Sequence, residues 1–269
     1  MKRTLLSALT VLVASTAMTA VACAVEPTSL NVQSTQLEEG DNIMTAATQT
    51  TTQPNEGTSI RIQATPGNEQ ALTDLLSSAA AIVHDTEPGT LQWVAQRESF
   101  DTFRIVDFFA DDSGRTAHFA GQVAAALHQQ APELVQSGWE QGVVANVENS
   151  QVLASVVRVA DTESQPRLAS YIELTAKEGQ AENLAEFLTG GAKIVEETEP
   201  GTVLWYALRI DDNRFAIYDL FVDEAARDAH FGGLVAAALK DSADDLVEGG
   251  WEQGVLTNVV HSEVLSITF

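Results

Sequence analysis

The sequence predicts an α+β protein made of two tandem copies of one β-α-β-β-α-β unit, and three observations predict it. A shift of 112 positions lays residues 59–147 over residues 171–259 without a gap. In that register Trp93 returns as Trp205, Arg97 as Arg209, Asp107 as Asp219 and His118 as His230, while Thr86–Thr90 returns as Thr198–Thr202 and Trp139–Val143 as Trp251–Val255. All four tryptophans fall in matched pairs, so one complete unit was duplicated, at a size of about 100 residues that suits a domain. Two copies are too few for a solenoid; the expectation is a pseudo-dimer in one chain, its halves facing each other across an approximate two-fold axis.

Each element follows in order. Ser59 to Thr65 alternates apolar and polar residues and predicts a strand. Between Asn68 and His84, Leu72, Leu75, Leu76, Ala79, Ile82 and Val83 recur at helical spacing, and Glu87-Pro88-Gly89 stops the helix. Thr90–Arg97 and Phe103–Ala110 are β-rich runs joined by a short polar link, which predicts a hairpin. Asp111 or Asp112 can cap a second helix running through His118 to about Leu127. Residues 131–142 read as irregular, with strands at Val143–Val147 and Gln151–Val157; the second copy repeats the order and ends on Glu263–Phe269. This is the ferredoxin-like arrangement. The units are expected at 58–160 and 168–269, with their connection, residues 161–167, crossing the outside of the pseudo-dimer.

The N-terminus reads as a processing segment. Lys2 and Arg3, the apolar stretch Leu5–Ala17 and the small residues Ala20-Val21-Ala22 make residues 1–22 a bacterial signal peptide. Cys23, the only cysteine, follows directly. That position resembles the lipobox of bacterial lipoproteins, with Ala20 where such boxes usually carry Leu; ordinary cleavage beside an incidental cysteine is the alternative. Residues 23–57 are rich in Thr, Gln, Ser, Asn and Glu and are expected to form a disordered tether. The predicted location is the cell envelope or periplasm, lipid-anchored through Cys23, or otherwise secreted.

With 38 acidic against 14 basic residues, a net charge of −24, the chain repels nucleic acid and anionic lipid headgroups. Nucleic acid is thus not an expected partner, and a membrane is one only through the N-terminal anchor. The expected state is a monomer with an internal pseudo-two-fold, higher assembly being left open.

Alternate residues of a strand share a face. Leu91, Trp93, Ala95 and Arg97, with Phe103, Ile105, Asp107 and Phe109, therefore form one face of the hairpin. Their counterparts Val203, Trp205, Ala207, Arg209, Phe215, Ile217, Asp219 and Phe221 keep it, while the opposite face drifts from Gln92, Val94 and Gln96 to Leu204, Tyr206 and Leu208. A turn near Phe100 would set Asp107 across from Trp93, where its carboxylate could accept the indole N–H. One reading makes this face a pocket, with Arg97 and Arg209 anchoring an anion and the rings of Trp93, Trp205, Phe103 and Phe215 forming walls. The other makes it a core with locally satisfied charges. Of five histidines only His118 and His230 are a matched pair. Each lies one turn after Arg115 or Arg227, as a base or ligand turned into a cavity, or as a residue packing at a helix end. His84, His128 and His261 read as surface residues. No Gly-rich phosphate loop, metal pair or nucleophile elbow is present, so no metal is expected.

The succession Glu-Pro-Gly-Thr at 87–90, Trp-x-Ala-x-Arg at 93–97, Phe-x-Ile-x-Asp-x-Phe at 103–109 and Asp-(Asp/Glu)-x-x-Arg-x-Ala-His-Phe at 111–119, present again in the second copy, resembles the antibiotic biosynthesis monooxygenase (ABM) domain. That group also holds quinol monooxygenase-like proteins. The resemblance implies a dimeric α+β barrel in which two four-stranded sheets close around a cavity, here made within a single chain. It implies oxidation of small phenols or quinols by O2 with no bound cofactor, the deprotonated substrate itself reducing oxygen. In these terms Trp93 and Trp205 stack the ring, Arg97 and Arg209 stabilise the phenolate, and His118, His230, Asp107 or Asp219 handles the proton. Relatives that degrade haem use an Asn–Trp–His set; the first strands, Ile60–Gln63 and Ile172–Thr175, offer no Asn. A non-catalytic envelope protein that binds an aromatic molecule, and a structural barrel without a ligand, remain the alternatives.

Overall fold

The computed structural model describes residues 53–158 and 165–269, so the signal segment, Cys23, most of the tether and residues 161–164 of the connection lie outside the described residues. In the first copy the elements are β1 (Glu56–Gln63), α1 (Glu69–Thr86), β2 (Thr90–Arg97), β3 (Thr102–Phe109), α2 (Asp112–Phe119), α3 (Gln122–Leu134), α4 (Gly138–Gly142) and β4 (Val147–Val157). The second copy has β5 (Leu168–Thr175), α5 (Ala181–Thr198), β6 (Thr202–Arg209), β7 (Arg214–Phe221), α6 (Glu224–Phe231), α7 (Leu234–Leu246), a π-helical turn (Gly250–Val255) and β8 (Val259–Thr268). Asp111 and Asp223 cap α2 and α6 as expected, accepting from the backbone N–H groups of Ser113 and Gly114 and of Ala226. The second helix, however, does not run on to Leu127. It breaks after Phe119 and restarts at Gln122, and the segment read as irregular is mostly helical, with Pro132 inside α3.

The eight strands close into one barrel in the order β1-β3-β2-β8-β5-β7-β6-β4. Exchanging the copies leaves that ring unchanged, the topological form of a two-fold axis. Each copy contributes an antiparallel sheet, and β4 pairs with β6 and β2 with β8 to join them. The final strand of each copy thus pairs with its own first strand on one side and with the second strand of the other copy on the other, and every strand edge of the ring is satisfied.

Three apolar clusters explain why the barrel holds. Two are built alike, each from the outer face of one copy's sheet and the helices that cover it: Ile60, Trp93, Phe103 and Ile105 under α1 and α3, and Ile172, Trp205, Phe215 and Ile217 under α5 and α7. The third draws on both copies and fills the lumen with Val94, Val106, Phe108, Tyr171, Leu204, Tyr206 and Tyr218. Phe108 stacks on Tyr206 at 3.7 Å between centroids, and the Tyr206 and Tyr218 hydroxyls donate to Gln92 and Gln96 at 2.7 and 3.0 Å. Arg104 lies 4.1 Å over the Tyr171 ring. The duplication-conserved face therefore looks outward, toward each copy's own helices, and the drifting face looks into the lumen. The expectation of a cavity enclosed between the two sheets is corrected here, because aromatic and amide side chains occupy that space.

Candidate active site

The site is built on the outer face, once in each copy. The hairpin register sets Trp93 opposite Asp107 and Trp205 opposite Asp219, as the turn position predicts. The predicted indole hydrogen bond is absent: neither carboxylate oxygen of Asp107 or Asp219 has a hydrogen-bond partner, although both residues are fully buried. What faces Asp107 is His118 at the end of α2, its Nε2 3.6 Å from Oδ2; His230 stands 3.7 Å from Asp219 in the same way. These distances are ion-pair contacts and too long for hydrogen bonds.

The other imidazole nitrogen makes the short contact. His118 Nδ1 lies 2.5 Å from Glu87 Oε2, and His230 Nδ1 2.5 Å from Glu199 Oε2, each glutamate also accepting from the hydroxyl of Thr90 or Thr202. In the sequence Glu87 and its counterpart Glu199 stand out only as part of the helix-stopping Glu-Pro-Gly run. The available signal was the return of a glutamate in both Thr86–Thr90 and Thr198–Thr202, where turn geometry asks only for Pro and Gly. A second sign is Gly121, matched by Gly233: a Cβ on Gly121 would lie 2.3 Å from Glu87 Oε1, and one on Gly233 2.8 Å from Glu199 Oε1. Glycine at the α2–α3 break is what lets the buried carboxylate reach the histidine.

Burial in this apolar wall raises Asp107 from its ordinary value to about 7; the adjacent His118 pulls it down and Glu87 pushes it up. Asp219 is raised to about 7 for the same reasons. For His118 and His230 burial acts in the lowering direction, but the flanking aspartate and glutamate together outweigh it, and both imidazoles are raised. Each copy thus holds a glutamate, an imidazole and an aspartate in contact, and the aspartate is poised to gain or lose a proton near neutrality.

His118 borders a cavity of about 410 Å³ between sheet and helices, lined also by Trp93, Ile105, Phe119, Leu127 and Trp139. His230 borders its counterpart, about 190 Å³, with Trp205, Ile217, Phe231, Leu239 and Trp251. The structure therefore brings Trp93, His118 and Asp107 together, and likewise Trp205, His230 and Asp219. It does not bring Arg97 or Phe103 to them. Arg97 lies at the far end of β2, bonded to the Thr73 hydroxyl and 5.5 Å over the Phe103 ring; Arg209 bonds Glu182 and lies 5.2 Å over Phe215. None of these four borders either cavity; they pack at the strand ends. Trp139 and Trp251, by contrast, enter the site from the segment after α3 or α7, which was read as irregular.

Residues 58–130 match the family model for antibiotic biosynthesis monooxygenase. No curated protein matches the chain. Among solved structures, a “putative monooxygenase” of Fusobacterium nucleatum matches with a TM-score of 0.65 at 17% identity, over 80% of this chain and 94% of that one. One of Lactobacillus acidophilus matches with a TM-score of 0.63 at 12% identity, over 80% of this chain and 96% of that one. A protein of unknown function from Nitrosomonas europaea is 34% identical over 39% of this chain and 96% of its own, with a TM-score of 0.36. The first two likenesses establish the fold: both proteins are matched over nearly their whole length by this two-copy barrel. The sequence match covers most of the first copy, residues 58–130, and identifies that segment as an antibiotic biosynthesis monooxygenase domain.

Proposed function

We propose that the chain is a monooxygenase of small phenols or quinols that uses O2 and no bound cofactor. The observation that carries this reading is the twice-built buried set of glutamate, histidine and unpartnered aspartate at the wall of an apolar, tryptophan-lined cavity. Apolar walls take the ring, with Trp93 or Trp205 beside it. Glu87 holds the His118 imidazole through Nδ1, leaving Nε2 as the proton acceptor at the edge facing Asp107. As the phenolic proton arrives, the imidazolium sits between two carboxylates, which is why its basicity is raised. The phenolate gives an electron to O2, the resulting radicals combine at a ring carbon, and loss of water leaves the quinone. One oxygen atom ends on carbon and the other in water, and the substrate supplies every electron. The apolar lining, Trp93 and Trp139 included, helps keep water from the reactive intermediates.

The test is oxygen uptake by purified protein against a panel of one- and two-ring phenols and quinols, with isotopically labelled O2 and mass analysis of products. The expected result is one labelled oxygen per quinone formed. Saturable binding without oxygen uptake would make the protein a binding module, and no binding at all would return the site to packing. Export and acylation at Cys23 belong to the same proposal. Partition of the full chain with membranes, lost in Cys23→Ala, is the expected outcome; a soluble wild type with an unmodified N-terminus would end that part.

A further inference from the structure

The two cavities have diverged: the second reaches Phe187, Leu188 and Gly191 on α5, whose counterparts on α1 do not border the first, and at the opposite end the difference is reversed. The first extends to Arg115, Thr116 and Asn149, whereas the corresponding Arg227, Asp228 and His261 do not border the second. Asn149 on β4 accepts from the Thr58 hydroxyl at 3.2 Å, and Phe119 beside it is 37% exposed. In the second copy the same strand position is His261. Its Nδ1 lies 2.9 Å from the Ser170 hydroxyl, at the position of Thr58, and its ring stands edge-on to Phe231 at 5.1 Å. Phe231 is held between His230 and His261, with ring centroids 5.3 and 5.1 Å away, and is only partly exposed; Phe119 has a ring partner of this kind only in His118. A pinned phenylalanine closes the end of the second cavity that stands open in the first. The sizes agree: about 410 Å³ lies within the range of roughly 300–1,000 Å³ usual for small-molecule sites, and about 190 Å³ lies below it.

We infer that residue 149 and its counterpart 261 set the size of phenol each copy accepts: fused two-ring phenols in the first cavity only, single-ring phenols in both. This rests on reading the cavities as phenol sites. Arg115 is already paired with Glu56 at 3.0 Å and Asp112 at 2.6 Å, so the open end offers a ligand polarity without an uncompensated charge. A neutral second ring fits there better than an acid does.

Calorimetric titration of the full chain under anaerobic conditions, with phenol and with naphthol, separates the outcomes. The expected stoichiometry is two phenols and one naphthol per chain. His261→Asn should raise naphthol from one to two, and Phe231→Ala should do the same by removing the pinned ring itself. Asn149→His should lower naphthol from one to none while phenol stays at two, which also shows that the variant is folded. Equal stoichiometry for both ligands in the wild type, or exchanges that leave naphthol at one, would overturn this inference alone. Absence of binding by either ligand would overturn it together with the reading on which it rests.

Discussion

Replacing both aspartates, Asp107→Asn with Asp219→Asn, is expected to lower turnover of a quinol substrate by about 10²–10⁴-fold, the usual contribution of a positioned acid–base group, while making the protein more stable at pH 8. The two effects come from one cause. Each aspartate is fully buried, neither oxygen has a hydrogen-bond partner, and the nearest counter-charge is a histidine more than 3.5 Å away. An orphaned carboxylate destabilises the fold and is useful for proton transfer, the combination in which a stability–activity trade-off shows most clearly.

The pH dependence fixes the sign. A carboxyl whose folded pKa is raised from 3.8 to about 7 binds its proton more tightly when folded. Its penalty is absent below the ordinary carboxyl value, grows as pH climbs toward 7 and is complete above it. The raised histidines act in the same direction, since their stabilisation is present below the ordinary imidazole value and is lost as pH rises through the folded one. Wild-type stability should therefore fall between pH 5 and 8. Relief of self-repulsion in a chain of net charge −24 has the same slope, so the comparison with the variant is what isolates the site. The variant should show a shallower slope and, at pH 8, a melting temperature higher by about 2–4 °C, the shift that about 1 kcal/mol produces in a domain of this size. Parallel slopes, or full turnover in the variant, would remove Asp107 and Asp219 from the mechanism.

Why the hairpin register was legible and the facing of the sheet was not has a physical answer. Two β-rich runs around a short turn leave little freedom of register, so the pairing of Trp93 with Asp107 follows from spacing alone. Facing is read from alternation, and alternation is lost when both sides of a sheet are covered: all eight residues of β3 are buried, four toward the helices and four toward the lumen. Comparing the copies separated the faces correctly but did not say which was which. Lumen residues meet the other copy, so Gln92 can diverge from Leu204 as long as Tyr206 answers it across the barrel. Residues under each copy's own helices have no such partner and stayed alike. Glu87 carries no distinct signal in the sequence because Pro88 and Gly89 account for the end of the helix by themselves. The break between α2 and α3 carries none either because Ala120-Gly121 continues a helical pattern, and its reason, room for the Glu87 carboxylate, lies 34 residues earlier in the chain.

The lumen holds a buried charge of the opposite kind, and the opposite result is expected there. Arg104 donates from Nε to Glu98 at 2.6 Å and from Nη1 to the Ser59 hydroxyl at 2.8 Å, beneath the Tyr171 ring of the other copy. Glu98 is also buried, and its second oxygen accepts from the largely exposed Arg61 at 2.6 Å. At the corresponding positions of the second copy stand Ala216 and Ile210, so duplication did not require this pair; it belongs to the packing of one copy against the other. Arg104→Leu removes the buried partner of Glu98, the bond to Ser59 and the cation over Tyr171 together, and is expected to cost about 3–5 kcal/mol, the usual penalty for stranding half of a buried ion pair. Adding Glu98→Leu should recover most of that loss, because a pair replaced by apolar side chains of similar volume no longer carries an unmatched charge. Urea unfolding of the wild type, both single variants and the double variant closes the cycle. Penalties that simply add would show that Arg61 alone satisfies Glu98, and that Arg104 acts through its contact with Tyr171.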